Sequence, residues 1–401
     1  IIKKAASPGM ENRKTIVLQS HLDMVHQKNA DTIFDFSTQG IQMYIDGDWV
    51  KAKGTTLGAD NGIGVASIMT LLASQNIPHP AIEALFTIDE ETGMTGALSL
   101  QGGLLEGRIL LNLDTEEDNE LTIGCAGGID VTATGSYSFE SVATGMSAYH
   151  VVLKGLTGGH SGMDIYLGRA NANKLMNRIL IGASDKFSIQ ISNIDGGSLR
   201  NAIPRESIAQ IHVPAANETD FENYINELNS ILIAEYKTTD PALSLSCMKA
   251  ECEKKVLQKG FQTKLLRSVY ACMNGVYRMS PDILHLVQTS NNLARVLVKE
   301  GEYSSQCLTR SAVDSEKMDL AHSLKATFDL IGARVEFKGS YPGWSPNPDA
   351  AIVKIMSELY MEMFKEQANV NACHAGLECG ILGTNYPGME MISFGPNIKG
   401  A

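Results

Sequence analysis

The sequence predicts an α/β fold with a mixed sheet flanked by helices, interrupted by an inserted α+β domain. Three observations lead to this prediction. From residue 1 to about residue 124, short apolar runs alternate with helical patterns, as is typical of an α/β sheet. In the middle of the chain, strand and helix patterns follow the order β-α-β-β-α-β twice. After the proline-rich connector 342–348 the α/β pattern returns, so the middle domain is an insertion.

These patterns set the predicted domain boundaries. Residues 1–127 and 339–401 are predicted to form the α/β domain, and residues 128–338 the insertion. Two ferredoxin-like units are expected within the insertion, at about 128–248 and 249–338. The strands predicted for the first unit are 149–154, 187–192, 206–213 and 242–248. Those predicted for the second unit are 251–256, 283–288, 294–299 with 306–309, and 333–337.

Composition excludes several classes of partner. The chain has 401 residues, 44% hydrophobic and 19% charged, which is typical of a soluble globular protein with two domains. A net charge of −12 argues against nucleic acid or an anionic membrane as a partner. The seven cysteines are scattered, without a C-x-x-C pair, and this pattern favours a reducing cytoplasm.

Both ends of the sequence look cut. The chain begins inside a strand-like segment without an initiator methionine, and it stops shortly after another strand-like segment. We therefore expect residues beyond both ends, and the sequence does not decide whether a signal peptide precedes it.

An acidic stretch follows one of the predicted buried strands. Leu85–Ile88 is the strand, and Asp89, Glu90 and Glu91 come directly after it, before a turn at Thr92-Gly93. Three adjacent carboxylates repel each other unless they stay in water or share a positive charge, for which a metal ion is the usual candidate. Taken alone, the stretch fits a solvated acidic loop better than a metal site.

Two other predicted strands end in residues of the same chemistry. His21 and Asp23 follow the strand 15–20, and Asp114 follows the strand 108–113. Residues i and i+2 of an extended chain share a face, so His21 and Asp23 point the same way. A carboxylate or carbonyl commonly holds the second nitrogen of a metal-binding imidazole.

A glycine-rich turn adds one more acid. The turn 54–64 leads into an apolar helix and places Asp60 at the helix entrance. Its glycine spacing is not that of a P-loop, and no lysine follows the glycines. The sequence therefore favours a carboxylate held by close-packed backbone over a phosphate cradle.

The strand ends of an open α/β sheet line one edge, where ligands bind. The residues predicted to meet there are His21, Asp60, Glu90, Glu91 and Asp114. One histidine and several carboxylates, with almost no thiolate, suit a pair of divalent metals such as zinc or manganese. This convergence favours a metal site over the solvated loop.

Three residues of the insertion leave alternatives open. His160 lies in the glycine-rich loop 158–162, where a backbone can approach a ligand closely, and the alternative is a surface histidine. Arg310 follows a predicted strand and precedes a helix, where a salt bridge is the alternative. Asn201 is a candidate contact residue or a turn residue.

Together the motifs resemble those of the co-catalytic zinc exopeptidases, a family that includes carnosinases, peptidase V, peptidase T, aminoacylases and carboxypeptidases. The matching segments are 21–25, 58–62, 89–97, 113–114 and 158–162. Segments 342–344 and 374–380 resemble the branch of this family that cleaves Xaa-His dipeptides. The resemblance runs over almost the whole chain.

The resemblance implies a zinc-exopeptidase-like catalytic domain that binds two Zn²⁺ ions in the complete protein, with Mn²⁺ or Co²⁺ as substitutes. It implies that Glu90 is the general base and that Asp23 orients His21. The implied ligands are His21, Asp60 and Asp114 for one metal, and Asp60, Glu91 and a histidine near the C-terminus for the other. The peptide bond between Asp60 and Asn61 is implied to be cis, which is costly for a non-proline residue.

The resemblance also implies roles for the inserted domain, as a lid and as the contact surface of a homodimer. His160 would help to stabilise the oxyanion, either within its own chain or across the dimer. The residues implied to contact substrate are Arg310, Asn201 and Gly376.

In one respect the chain departs from the family pattern. The final metal histidine of the family follows the last strand, in a His-Ser-Pro-like motif, and this sequence stops where that motif would begin. His374 lies too early in the chain for this role, in the segment that resembles a substrate-contacting glycine loop. We therefore expect the last ligand directly after Ala401.

The function predicted from the sequence is a dinuclear zinc dipeptidase acting on Xaa-His and other dipeptides, with no nucleic-acid or membrane partner. The first alternative is another amidohydrolase of the same family, such as a tripeptidase, an aminoacylase or a deacetylase. The alternative from a different class is a non-catalytic peptide-binding or scaffold protein. The dipeptide preference and the physiological metal stay open.

Overall fold

A computed structural model describes residues 1–399, which form two compact units. One, called here the α/β unit, contains residues 1–125 and the segment from Pro342 onward. The other, called here the inserted unit, contains residues 126–341. Among the described residues, no helix is both long and apolar enough to cross a membrane. All seven cysteines are free thiols.

Strands and helices are numbered in chain order. The strands are β1 (Ile2–Lys4), β2 (Ile16–His21), β3 (Met43–Asp46), β4 (Trp49–Ala52), β5 (Ile82–Thr87), β6 (Ile109–Asn112), β7 (Glu120–Cys125), β8 (Gly127–Ser136), β9 (Phe139–Ser141), β10 (Met146–Lys154), β11 (Gly159–His160), β12 (Gln190–Gly197), β13 (Ala202–Ile203), β14 (Ser207–Pro214), β15 (Ser244–Lys249), β16 (Lys255–Leu257), β17 (Gly275–Met279), β18 (Val287–Lys299), β19 (Glu302–Ser311), β20 (Arg334–Tyr341), β21 (Asn369–Cys373) and β22 (Glu390–Ser393). The α-helices are α1 (Ala59–Ala73), α2 (Thr95–Ser99), α3 (Ala172–Phe187), α4 (Glu218–Tyr236), α5 (Lys259–Ala271), α6 (Asp314–Asp329), α7 (Ala351–Phe364) and α8 (Glu378–Asn385).

A seven-stranded mixed sheet forms the α/β unit, in the order β1-β5-β2-β6-β22-β7-β21. Strands β5, β2, β6 and β22 run parallel to one another, while β1 is antiparallel to β5 and β22 is antiparallel to β7. Successive residues of a strand face opposite sides, so Val17 packs with Ile381 of α8, and Leu18 packs with Ile68 of α1. The helix layers thus cover both faces and leave the carboxyl ends of β5, β2 and β6 together at one edge.

The inserted unit is built on one larger sheet, in the order β15-β10-β14-β12-β18-β19-β8-β20, with β17 pairing with β18. Strands β10, β12, β14 and β15 form one ferredoxin-like half, whose helices are α3 and α4. Strands β8, β18, β19 and β20 form a second half with the same internal order, whose helices are α5 and α6. The pairing of β12 with β18 joins the halves into one sheet.

The predicted division between the ferredoxin-like units, at 248/249, is wrong. The first strand of the second unit is β8, which pairs with β19 and β20, and not the stretch 251–256. The strand observed near that stretch, β16, pairs with β9 in a separate ribbon. In the sequence, the first unit is therefore inserted between strand β8 and helix α5 of the second unit. The pairing of β8 joins residues distant in sequence, such as Ile129 and Thr309, so a local pattern does not reveal it.

The predicted strands at 283–288 and 294–299 are largely one strand, β18, which begins at Val287. Polar residues between them interrupt the apolar pattern, although the structure buries them, including Asn291 and Asn292. Their side chains are satisfied inside the unit: Asn292 donates to the carbonyl oxygens of Arg200 and Ala202, at 3.1 and 2.8 Å. Two strands are therefore predicted from the sequence where the structure has one continuous strand, because its polar residues resemble a loop.

Candidate metal centre and active site

The site is assembled at the carboxyl ends of three adjacent parallel strands. Strand β2 ends at His21, which pairs in register with Thr87 at the end of β5. Glu90 and Glu91 follow β5, and Asp114 follows β6 on the other side of β2. The parallel register therefore brings the predicted site residues of three separate motifs to one edge.

The imidazole of His21 lies between two carboxylates. Its Nε2 is 3.1 Å from Asp60 Oδ1 and 3.2 Å from Asp114 Oδ1. Its Nδ1–H donates to the backbone carbonyl of Asp23 at 3.0 Å, so the lone pair of a neutral ring is on Nε2. A lone pair and two carboxylate oxygens then face one another, and only a proton or a metal cation relieves their repulsion.

Asp23 contacts His21 through its backbone carbonyl. The sequence left open whether a carboxylate or a carbonyl holds the ring; the nearer atom is the backbone carbonyl, with Asp23 Oδ1 at 3.5 Å from the ring nitrogen. The other carboxylate oxygen of Asp23 accepts a hydrogen bond from the backbone N–H of Glu91 at 3.2 Å. Asp23 thus connects the histidine to the acidic turn.

The donor atoms fit a metal ion. His21, Asp60 and Glu91 each offer a nitrogen or carboxylate oxygen, and these atoms lie within 4.8 Å of one another. Nitrogen and carboxylate donors in such a cluster are ordinary zinc ligands. In the described part of the chain His374 is not a member of this group; it lies buried just after β21.

The acidic stretch leaves the strand earlier than expected. Strand β5 ends at Thr87, one residue before the predicted end, and Asp89 has a φ of +63°, so the strand breaks before the Thr92-Gly93 turn. The carboxylate of Asp89 accepts hydrogen bonds from the hydroxyls of Thr92 and Thr95, the latter at 2.7 Å. Asp89 therefore stabilises the turn, and the break frees Glu90 and Glu91 from strand alternation.

Close backbone packing places Asp60. Gly58 precedes α1 with a φ of +73°, and the Asp60–Asn61 peptide bond is cis, as the family resemblance implied. The Asn61 side chain accepts from the Ser20 hydroxyl at 2.7 Å and donates to Asp114 Oδ1. A side chain at Gly64 would collide with Asn61 and Ser20, which explains the glycine at that position.

Burial and like charge shift the pKa values of the site. Burial and the neighbouring Asp114 charge raise the pKa of Glu90 to about 9. Burial, then the charge of Asp60, also raises the pKa of Glu91. Burial of the His21 ring opposes its protonation, but hydrogen bonds to Asp114 and Asp60 outweigh this effect and raise its pKa to about 11. The metal-free site thus carries more negative charge than its surroundings balance.

We expect the metal-free protein to lose stability as pH rises. The pKa of Glu90 is 4.5 when unperturbed and about 9 when folded, so protonated Glu90 supports folding fully below about pH 4.5. That contribution is lost as pH rises through about 9. In excess chelator, Glu90→Gln should therefore melt at a higher temperature than the wild type, and this difference should grow from pH 5 to pH 9. An equal difference at both pH values would contradict the environment described for Glu90.

A cavity of about 910 Å³ opens beside the metal ligands. Asp60 and Glu91 contribute to its wall, together with Trp49 and Val50 of β4. This volume is in the range that holds a small organic ligand. The α/β unit therefore offers space for a small substrate next to its candidate metal ligands.

The inserted unit brings its own candidate residues together. Strand β11 pairs His160 with Ala202, so Asn201 is next to the histidine in space, and the Ser161 N–H donates to the Asn201 carbonyl at 2.7 Å. Arg310 Nη2 is 3.5 Å from His160 Nε2. Gly376 belongs to the α/β unit, where it is half-buried between β21 and α8.

Sequence reasoning missed the polar residues beneath the site. Gln19, Thr87 and Asn112 are buried, and each lies on one of the three central strands just before a site residue. Glu378, at the start of α8, binds two of them. A signal was present, because Gln19 and Asn112 interrupt otherwise apolar strands, but their partner is distant in the sequence.

The chain is similar to known peptidases. Residues 151–240 match a family model described as the peptidase dimerisation domain of the M20 peptidases. The cytosol non-specific dipeptidase of Escherichia coli is 44% identical over 400 residues, which is 100% of this chain and 82% of that protein. The crystal structure of the aminoacylhistidine dipeptidase from Vibrio alginolyticus, also 44% identical, superposes with a TM-score of 0.90 over 99% of this chain and 81% of that one. An uncharacterised Bacillus subtilis protein, YqjE, is 26% identical over 203 residues, or 49% of this chain and 47% of its own length.

The fold and the clustered histidine and carboxylates are those of a metallopeptidase. The identity and coverage show that the chain belongs to the M20 peptidase family, alongside the cytosol non-specific and aminoacylhistidine dipeptidases. The predictions of this family, of an α/β fold with an inserted α+β domain, and of a peptide hydrolase are confirmed.

Proposed function

We propose that this protein is a dinuclear zinc dipeptidase that hydrolyses Xaa-His and other dipeptides. The observation that carries the proposal is the His21 ring, whose Nε2 lies 3.1 and 3.2 Å from two carboxylate oxygens. A proton or a metal cation relieves the repulsion in that arrangement, and Glu91 lies beside it with a further ligand atom that suits the metal. The names of the Escherichia coli and Vibrio relatives supply the substrate class.

Two zinc ions held by His21, Asp60, Glu91 and Asp114 would lower the pKa of the attacking water; Mn²⁺ or Co²⁺ are the expected substitutes. The last histidine ligand predicted for the second metal lies outside the described residues. Glu90 carries the proton: it takes it from the water and passes it to the leaving amine. Asp23 keeps the His21 ring in place through its carbonyl oxygen.

His160 is suited to bind an oxygen atom of the substrate. Its Nδ1 accepts hydrogen bonds from the backbone N–H groups of Gly162 and Met163, at 3.3 and 3.0 Å, so the neutral ring has its proton on Nε2. Burial and the Arg310 charge lower the pKa of His160 to about 4, which keeps the ring neutral at physiological pH. The Nε2–H donor and Arg310 Nη2 lie 3.5 Å apart, close enough for one oxygen atom of the substrate to accept hydrogen bonds from both.

Arg310 is suited to bind the free carboxylate of a dipeptide. Its side chain is 4% exposed, and in the described chain it forms no ion pair with an acid. Tyr341 accepts a hydrogen bond from its Nη1 at 2.9 Å, and Nε is buried without a hydrogen-bond partner. The nearby acid Asp130 is already paired with Arg200, at 3.2 Å. A buried guanidinium in this state is a receptor for an anion, which its fork binds bidentately.

We expect Arg310→Lys to lower kcat/KM for a dipeptide by about 10–100-fold, because the hydrogen bonds lost are to a charged group. The effect should disappear with the same dipeptide amidated at its C-terminus, which offers no carboxylate. Steady-state kinetics on the paired substrates measure both effects.

The matched control is Arg200→Lys. Arg200 is in the same unit, but Asp130 and Thr132 already hold its guanidinium. This variant should discriminate between acid and amide as the wild type does. An Arg310→Lys protein that keeps the wild-type discrimination would rule out the carboxylate clamp.

A substrate panel separates the proposal from its alternatives. Carnosine and other Xaa-His dipeptides should be cleaved faster than tripeptides and N-acyl amino acids. Preference for a tripeptide or an N-acyl substrate would instead indicate a tripeptidase, aminoacylase or deacetylase. Binding of dipeptides without turnover, in the presence of zinc, would indicate the peptide-binding protein.

We also propose a cytoplasmic homodimer, formed through the inserted unit. The match of residues 151–240 to a dimerisation domain and the cytosolic name of the Escherichia coli relative support this assignment. Sedimentation should give twice the chain mass. Mixing inactive Glu90→Gln and His160→Ala chains tests how His160 acts: activity returns if His160 serves the partner's substrate, and it does not return if each chain is self-contained.

A further inference from the structure

Glu378 is a buried carboxylate with little compensation. It is 0% exposed, and among residues 1–399 it pairs with no lysine, arginine or histidine. Oε2 accepts hydrogen bonds from Gln19 Nε2 at 2.6 Å and from the Thr87 hydroxyl at 2.5 Å. Oε1 is buried and has no hydrogen-bond partner. Burying a charged group in this way is costly unless an opposite charge balances it.

A second buried glutamate in the same unit shows what full compensation involves. Glu83, on β5, is 2% exposed. Its Oε1 pairs with Lys3 at 2.7 Å, and its Oε2 accepts from the backbone N–H groups of Glu106 and Gly107, at 2.8 and 2.9 Å. Glu378 has neither a cation nor a partner for its second oxygen, so packing alone does not account for its charge.

The location of Glu378 connects it to the metal edge. Its partners Gln19 and Thr87 lie on β2 and β5, and Gln19 also accepts a hydrogen bond from Asn112 on β6. Gln19 shares a strand face with His21, and Thr87 pairs with His21 in register. The polar side chains of these four residues therefore lie between the apolar contact of α8 with β2 and the candidate metal ligands at the strand ends.

The surroundings of Glu378 oppose its negative charge. Burial raises the pKa of Glu378 itself to about 7; its hydrogen bond from Thr87 opposes this shift, and the Asp114 charge adds to it. Among the described residues Glu378 thus has no balancing cation of its own, and the candidate metal ligands lie at the ends of the two strands that it contacts.

We propose that Glu378 is a positioning residue of the metal centre, whose negative charge strengthens divalent-cation binding while its hydrogen bonds hold the ends of β2 and β5. The inference rests on the proposed metallopeptidase function. Groups outside the direct ligands tune metal affinity in this way, by orienting the ligands and by adding charge.

Two substitutions separate charge from shape. Glu378→Gln keeps an oxygen acceptor for Gln19 and Thr87 but removes the charge, whereas Glu378→Asp keeps the charge and shortens the reach. Zinc affinity is measured on the metal-free full chain by competition with a chromophoric chelator. Glu378→Gln should bind zinc about 10–100-fold more weakly than the wild type, and Glu378→Asp should lose less.

Thermal unfolding supplies a second readout that does not depend on activity. In excess chelator, Glu378→Gln should melt at or above the wild-type temperature, because a poorly compensated charge is removed. With saturating zinc, its gain in melting temperature should be smaller than that of the wild type. If Glu378 had only a structural role, Glu378→Gln would lower the melting temperature under both conditions.

Glu83→Gln is the matched control, and its zinc affinity should equal that of the wild type. Equal zinc affinity of Glu378→Gln and the wild type, or weaker binding by Glu378→Asp than by Glu378→Gln, would overturn the role of the charge. A wild-type chain that binds no zinc would overturn the proposed function itself, and the inference with it.

Discussion

Glu90→Gln is expected to lower kcat for dipeptide hydrolysis by about 10²–10⁴-fold, the usual contribution of a general base. The amide cannot take a proton from the attacking water, although it has nearly the same shape as the carboxylate. Steady-state kinetics on an Xaa-His dipeptide measure the loss.

Metal content distinguishes loss of the base from loss of the site. Glu90 is not in the three-residue group that offers metal donor atoms, so Glu90→Gln should retain as much zinc as the wild type in elemental analysis. Glu117→Gln serves as the control, since Glu117 lies in the loop after β6 but pairs with Lys399 at 2.6 Å. Hydrolysis at the wild-type rate by a zinc-loaded Glu90→Gln protein would refute the base assignment.

Asp60→Asn is expected to abolish metal binding as well as activity, with kcat/KM falling by more than about 100-fold. Substitution of groups outside the direct ligands costs 10–100-fold, and a ligand shared by both metals should cost more. Asp60 Oδ1 is one of the two oxygens beside His21 Nε2, so the variant removes half of the negative charge facing the ring. Equilibrium dialysis against zinc, followed by elemental analysis, measures the loss.

Asp48→Asn is the matched control for Asp60→Asn. Asp48 lines the same cavity as Asp60 but is not a member of the metal-donor group of the described chain. It should keep its zinc and most of its activity. Normal zinc content in Asp60→Asn would contradict the bridging role that we propose for Asp60.

Much of the α/β unit could be predicted because its signals are local. The strands at 15–20, 85–88 and 108–113 are apolar runs bounded by polar residues, and each is followed by acids or a histidine. The rule that parallel strand ends share an edge was then enough to place His21, Glu90 and Asp114 together. The structure has them there, on adjacent strands.

The inserted unit was harder to predict because its pairing is not local. Strand β8 precedes the whole first ferredoxin-like half but belongs to the second, through its contacts with β19 and β20. Strand β18 contains buried polar residues, which resemble a loop in the sequence. In both cases the partner that explains the strand lies far along the chain.

Long-range contacts also limit the prediction of the residues that hold the site residues in place. Glu378 begins α8, hundreds of residues after Gln19 and Thr87, and only the fold shows that it binds them. The atom by which Asp23 holds His21 was also beyond the sequence, because the carbonyl and the carboxylate of one residue cannot be distinguished by a motif. Motifs predict the ligands well, but they do not predict how neighbouring groups orient them.

Zinc titration of the metal-free chain tests the central claim most directly. The rate of hydrolysis of an Xaa-His dipeptide is followed as zinc is added in known ratio to the protein. The dinuclear proposal predicts no hydrolysis in excess chelator and a rate that rises until two zinc ions are bound per chain. Hydrolysis that persists in excess chelator, or its absence at every zinc ratio, would contradict it.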